Sequence, residues 1–270
     1  MRNVIKTEFY LTIRNKMWWM LSIAVACFTI FFTVMLYYSS DGAINSAGDI
    51  NIQNIGQEVV SRDLSFIDYL QEIICSDVMV MFVTVFTILL SLQEYTHGYL
   101  KNIWMNIGKK SNYYLTKILV IFSYVLYLFL IVVITLFLLD AILLKTSDVG
   151  DVKAFFGVCL AQCFYEVVFG IIAMTFALCM KKMVPSLICG IVYIAFANQV
   201  MCGIINLIVN KNINLSTEFR IEQYLVYGNI MLTKTGIEVD AMIRAICVAG
   251  LWAIVALVVC SWKINKRDIL

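Results

Sequence analysis

The sequence predicts an all-α integral membrane protein with six transmembrane helices, both termini cytoplasmic, and an amphipathic N-terminal helix lying in the interface. Three observations carry this expectation. Of the 270 residues, 62% are hydrophobic and only 14% charged, against roughly 25% charged in soluble domains. The apolar residues gather into six runs, each close to or beyond the ~20 residues that cross a hydrocarbon core. Lys and Arg are sorted to one side of those runs.

Residues 1–16 come first. Ile5, Phe9, Ile13 and Met17 recur at every fourth position, with Arg2, Lys6, Arg14 and Lys16 off that line. This is the pattern of a basic helix parallel to the membrane, although a basic flank that only fixes topology has the same composition. The expected spans are residues 17–38, 73–92, 116–139, 154–180, 184–209 and 241–262. The first is too long for a signal-peptide core and lacks a small-residue cleavage site after it. The second is the shortest and carries Asp77 near one end. The fourth and fifth are long enough to tilt or break, and Pro185 stands near the start of the fifth, where proline is tolerated.

Two longer outer segments follow from this layout. Residues 39–72 carry Asp41, Asp49, Glu58, Asp63, Asp68 and Glu72 against Arg62 alone, and turn helix-like from about Gln57. Such an acidic surface attracts cations, or simply solvates the loop. In residues 210–240, Ser216 is placed to cap a short helix running to about Tyr227, with Gly228 as its stop. Asp240 and Arg244, one turn apart at the outer end of the last span, have the spacing of a local ion pair. No internal repeat, low-complexity run or linker divides the chain, so residues 1–270 read as a single transmembrane domain.

Orientation follows from the cations. With the N-terminus inside, the inner segments hold 13 of the 20 Lys and Arg and the outer segments 7. The short inner loops are much the denser, as the positive-inside rule requires. Trp18, Trp19, Trp104, Tyr113, Tyr114 and Trp262 fall at the inner interface, and Tyr37 and Tyr38 at the outer one, as aromatic belts do.

The most informative stretch is the inner segment 93–115. Leu100, Ile103, Trp104 and Ile107 fall at i, i+3, i+4 and i+7, one face of a helix. Gly108 is a stop signal, and Ser111 or Asn112 can cap the next helix. The opposite face presents Lys101, Asn102 and Asn106 to the cytoplasm. A membrane chain with a short structured knob there, and no cytoplasmic domain, offers a docking surface.

Polar residues recur inside the spans. Gln162 and Glu166 follow Cys159 and Cys163 along one seam of the fourth span, which continues through Gly170, Ala173 and Ala177. Small residues there allow close helix packing. An acidic residue in mid-membrane must face protein or water. Glu166 therefore reads either as part of a translocation or proton pathway, or as one half of an interhelical hydrogen bond to Asn198 or Gln199. Thr84, Thr87 and Ser91 in the second span form a mildly polar stripe, as do Asn198, Cys202 and Asn206 in the fifth with Gln199 beside them. Both suit a translocation route or helix–helix contact equally well.

Other chemistry is excluded by what is missing. There is no G-x-x-x-x-G-K-[ST] loop, so the chain does not hydrolyse ATP by itself. Neither G-x-S-x-G nor H-E-x-x-H occurs. His97 is the sole histidine, which rules out a multi-histidine metal site. The nine cysteines form no C-x-x-C pair and read as small packing residues. The net charge of +2 is distributed by membrane side rather than pooled, so no nucleic-acid surface is expected.

Six spans, inner termini, an amphipathic first helix and an inner knob after the second span together resemble the membrane subunit of a type-2 ATP-binding-cassette (ABC) exporter. The resemblance is sharpest over residues 94–117, where Glu94, Gly98, Lys101 and Lys117 fit that family's acidic–glycine–basic inner segment; Tyr99 stands where the family often has Thr. It implies that the inner segment is a coupling helix seated in a separate ATPase subunit, which binds ATP and Mg while this chain holds no cofactor. In that setting Glu94 would be held by the ATPase, and Leu100, Ile103, Trp104 and Ile107 would anchor the helix on the membrane side. It also implies a second permease chain, the same or homologous, with the second and fifth spans lining the route between the two. Part of residues 210–240 would be an outer re-entrant element. The small size and lone permease domain are similar to the bacterial plasma-membrane subgroup that exports peptides or protects against lantibiotics, with an amphipathic peptide as substrate. The competing expectations are a non-transporting sensor or assembly partner, and an intramembrane enzyme that would depend on Glu166 or His97.

Overall fold

In the computed structural model, residues 2–45, 65–96, 110–144, 149–194, 202–212, 221–234 and 237–265 are described. Among them every regular element is helical. Helix α1 (Arg2–Arg14) leads through Asn15 into α2 (Lys16–Asn45). Asn15 makes that corner: its Oδ1 accepts the Met17 N–H at 3.1 Å at the start of α2, in the manner of a cap. Helices α3 (Phe66–Ile74) and α4 (Asp77–Thr96) form a bent pair, followed by α5 (Lys110–Leu139), which ends in a π turn over Asp140–Leu144. Then come α6 (Val152–Met180), α7 (Met183–Val192), α8 (Cys202–Asn212), a 3-10 turn (Ile221–Tyr224), α9 (Val226–Leu232) and α10 (Val239–Asn265).

Four of these helices are long and apolar enough to cross a membrane: Lys16–Tyr37 within α2, Leu115–Leu143 within α5 and its π turn, α6, and Val239–Trp262 within α10. A fifth crossing results if Phe66–Ile74 and Asp77–Gln93 count as one broken span, bent by 45°. The bend has a local cause. Ser65 and Asp68 form a capping box that starts α3, with Asp68 Oδ2 accepting the Ser65 N–H at 3.0 Å. The Cys75 N–H closes α3 on Gln71 O, and Met79 N–H then returns to Ser76 O at 3.1 Å to open α4. Residues 66–72 are thus helical and largely buried, inside a stretch expected to be outer loop, because Ile67, Leu70, Ile73 and Ile74 make an apolar face that finds the bundle.

Helix α6 is the centre of the bundle. It packs against α10, α4, α5, α7, α9 and α3, and 16 of its residues are buried, Val158 and Tyr165 to Met174 among them. Asp151 caps its start, accepting from Lys153 N–H at 3.0 Å and Ala154 N–H at 3.3 Å. Lys181, in the left-handed region at φ 57, ends it and makes the tight turn into α7. The core beside α6 is aromatic: Phe86 stacks on Tyr124 at 3.5 Å, and Trp18 lies 5.0 Å from both Tyr124 and Tyr127. Trp18 therefore sits in the core, while its neighbour Trp19 is 55% exposed and takes the place an interfacial aromatic would occupy. The fifth run, expected as one span over 184–209, has two described helical pieces, α7 and α8.

Candidate functional site

The polar residues of the bundle fall into three places. The first is the packed seam between α4, α6 and α7. Thr84 donates to Val80 O at 2.8 Å and Ser91 to Thr87 O at 2.7 Å. Their hydroxyls are satisfied within their own helix. Close approach explains the glycines facing them: a Cβ on Gly170 would lie 2.8 Å from Ile121 Cγ2 and 3.3 Å from Thr87 Oγ1, and one on Gly190 2.8 Å from Thr84 Cγ2. The seam is thus tightly closed helix contact within this chain. Glu166 is fully buried on α6, and neither of its carboxyl oxygens has a hydrogen-bond partner among the described residues. Thr87 Oγ1 and Tyr124 Oη are buried and unpartnered in the same way.

One turn before Glu166, Gln162 reaches the α3–α4 bend and the end of α9. Its Nε2 donates to Ile230 O at 2.7 Å and Thr233 O at 3.1 Å, and lies 3.1 Å from Cys75 Sγ. The Cys75 thiol points to Thr233 O at 3.7 Å. The bend between α3 and α4, the middle of α6 and the end of α9 therefore meet at one side chain.

The second place is a cavity of about 260 Å³, lined by Asp77, Cys202, Glu222, Leu225, Tyr227 and Met231 among others. Tyr227 donates its hydroxyl to Asp77 Oδ1. Asn206 donates to Glu222 Oε1 at 3.0 Å and accepts the Ile221 N–H at 2.8 Å, so it holds the 3-10 turn against α8. The segment before α10 also departs from the expected form. Gly228 does not stop a helix; it lies inside α9, where a Cβ would stand 2.2 Å from Glu222 O, and its lack of a side chain lets the 3-10 turn rest on α9. Nearby, Lys234 pairs with Glu72 at 2.6 Å on a half-exposed surface. Asp240 and Arg244, expected to pair, do not form an ion pair; both are exposed, where pairing contributes little.

The third place lies where α1 meets α4 and α5. Lys117 Nζ is 3.2 Å from Glu8 Oε2 and 3.4 Å from Leu90 O, and Asn15 Nδ2 donates to Gln93 Oε1 at 3.0 Å. Among the residues of α1 whose burial is described, Glu8 and Thr12 are buried, Phe9 packs on the core, and Ile13 is exposed beside Tyr10 and Leu11.

Of the residues expected to dock an ATPase, Glu94 lies in the last turns of α4. Gly98, Leu100, Lys101, Ile103, Trp104 and Ile107 fall outside the described residues, as do Asn198 and Gln199 in the fifth run. Thr84, Thr87 and Ser91 lie on α4 and Gln162 and Glu166 on α6, two helices that pack on each other, whereas Asn206 lies elsewhere, bonded to the cavity residue Glu222. Sequence reasoning missed Cys75, Asp77, Tyr227 and the Glu8–Lys117 pair as polar contacts. An acidic residue in an otherwise basic first helix was the available signal for the last. Among the described residues no group of His, Cys, Asp and Glu is arranged to hold a metal ion.

Residues 4–198 match the family described as "ABC-2 family transporter protein". That is well over half of the chain, and the chain belongs to this family. It is a multi-pass membrane protein and a transmembrane subunit of an ABC transporter, of a family that works with an ABC ATPase and is typically not itself catalytic. No curated protein and no solved structure matches the chain.

Proposed function

We propose that this chain is the permease of a bacterial plasma-membrane ABC exporter that moves a cationic amphipathic peptide, of the kind lantibiotics represent, out of the membrane or cell. A separate ATPase binds ATP and Mg and docks on the inner segment after α4 through Glu94, Gly98 and Lys101. Leu100, Ile103, Trp104 and Ile107 anchor that segment on the membrane side. A second permease chain, the same or homologous, completes the route. The observation that carries the reading is the family match over residues 4–198, which takes in the N-terminal helix, the whole inner segment and all of α6. The cargo class is supported by two features with one chemistry: an outer segment rich in Asp and Glu, and a cavity in which Asp77 and Glu222 stand among Leu225, Tyr227 and Met231. Carboxylates on an apolar wall favour a cation carried on an apolar body.

In physical terms, ATP closes the ATPase pair and the motion enters the permease through the inner segment. The spans then rock and change access to the outer side. The test is purification of the chain with the cassette ATPase encoded beside its gene, in nanodiscs, as wild type and as Glu94→Lys. The expected result is a stable wild-type complex whose ATPase rate depends on Glu94. Absence of a complex with any cassette ATPase would sink the reading.

A further inference from the structure

Helix α1 packs Phe9 against the bundle core, but its fully buried described residues are polar. Tyr10, Leu11 and Ile13 face outward and are about half exposed, while Glu8 (6% exposed) and Thr12 (4%) face the bundle. Glu8 meets Lys117, itself only 1% exposed, at 3.2 Å. Lys117 Nζ also reaches Leu90 O at 3.4 Å, and at the far end of α1 Asn15 donates to Gln93 at 3.0 Å. These bonds have a common address. Leu90 and Gln93 lie in the last two turns of α4, which ends at Thr96, and Lys117 lies two turns into α5, which begins at Lys110. Helices α4 and α5 are the two ends of the connection 97–109. Glu8 fastens α1 to α5, Lys117 joins α5 to α4, and Asn15, at the corner after α1, holds α4 through Gln93.

A buried ion pair is a poor adhesive, because desolvation offsets most of its attraction, but it is intolerant of slippage. An apolar face would hold α1 equally well while letting it slide. We propose that Glu8 and Lys117 are positioning residues for ATPase coupling: they lock the interfacial helix in register with α4 and α5, so that α1 moves together with the end of α4 and the start of α5. This rests on the transporter reading given above. The outward face of α1, with Trp19 beside it, anchors the arm in the lipid interface. A displacement entering at the connection then tilts α4 and α5 about that anchor instead of being lost as sliding.

The test uses the complex of the full chain with its ATPase in nanodiscs. Two readouts are taken: the ATPase rate in the complex relative to the isolated ATPase, and amide exchange over residues 2–14. The variants are Glu8→Gln, Lys117→Met, the apolar double Glu8→Leu/Lys117→Met, and the charge exchange Glu8→Lys/Lys117→Glu. The single variants are expected to lower the stimulation about tenfold, the scale of a typical coupling between sites, with the ATPase still bound and exchange in α1 faster. The apolar double leaves no buried charge to unfold the bundle and is expected to be equally uncoupled. Charge exchange is expected to restore stimulation to within about threefold of wild type. An apolar double that couples like wild type would reduce the pair to packing and overturn the proposal, as would unchanged α1 exchange in Glu8→Gln. A wild-type chain that binds no ATPase overturns the transporter reading instead, and exchange over residues 2–14 then decides the lock by itself.

Discussion

Gln162 and Ile230 are joined by a 2.7 Å hydrogen bond from side-chain amide to backbone carbonyl, which ties the middle of the central helix α6 to the short helix α9. Gln162 is wholly buried. Its Nε2 is also within 3.1 Å of Thr233 O and Cys75 Sγ, so three separate elements depend on one amide.

Gln162→Leu removes that amide and leaves the carbonyls at the end of α9 with one donor fewer. Such a loss costs about 1–3 kcal/mol. The expected result is a lower melting temperature in nanodiscs, with faster amide exchange confined to residues 226–234. Unchanged exchange there would mean that α9 is held by its apolar contacts alone.

Glu166 has the opposite balance. Its carboxyl is fully buried without a hydrogen-bond partner among the described residues, and burying such a group costs about 1–3 kcal/mol. Replacement by an apolar side chain of similar volume relieves that cost, so Glu166→Leu is expected to raise the melting temperature. A stabilised variant that no longer transports would establish a functional role for the carboxyl. A destabilised one would show that the group finds a partner in the membrane.

Two glycines make a matched pair. A Cβ at Gly228 meets Glu222 O at 2.2 Å, whereas one at Gly203 meets nothing within 4 Å. Gly228→Ala must displace backbone and is expected to destabilise the chain and shift the 3-10 turn. Gly203→Ala, within α8, is expected to stabilise by about 0.5–1 kcal/mol through helix propensity. Thermal melts of the two variants side by side read out the difference.

The Lys234–Glu72 pair is short, at 2.6 Å, but both side chains are more than 40% exposed. Exposed pairs are worth about 0–1 kcal/mol. Lys234→Ala is therefore expected to leave the melting temperature nearly unchanged at physiological salt, and a large drop would mean that the pair is sealed in the assembled transporter.

The long helices were legible because a run such as residues 118–139 carries no charge, and only a helix satisfies its own backbone in lipid. The break at Cys75–Ser76 was not legible, since neither residue is a helix breaker; it arises because α3 turns a short apolar face into the bundle while α4 follows the long axis. Ile5, Phe9, Ile13 and Met17 marked α1 as a helix, but not that Phe9 packs on the core while Ile13 stays exposed, for a lipid-facing stripe and a core-facing stripe read alike in hydropathy. Gly228 carried the ordinary signal of a helix stop, and only the proximity of Glu222 explains its place inside a helix. Among the polar site residues, Gln162 and Glu166 stood out on cost alone, as uncharged runs make every polar residue conspicuous. The partners of Gln162 did not, because they are backbone carbonyls some seventy positions away, and backbone leaves no mark on composition.

The Glu8–Lys117 contact joins residues 109 positions apart, and this has a consequence for biogenesis. Helix α1 cannot take up its final seat until α2, α3, α4 and the beginning of α5 have been made. At typical elongation rates that is a delay of roughly 5–20 s. Throughout it, α1 presents an acidic residue on the side destined for the interior. A segment made well before its partner is thus fastened only after α2, α3 and α4 are in place.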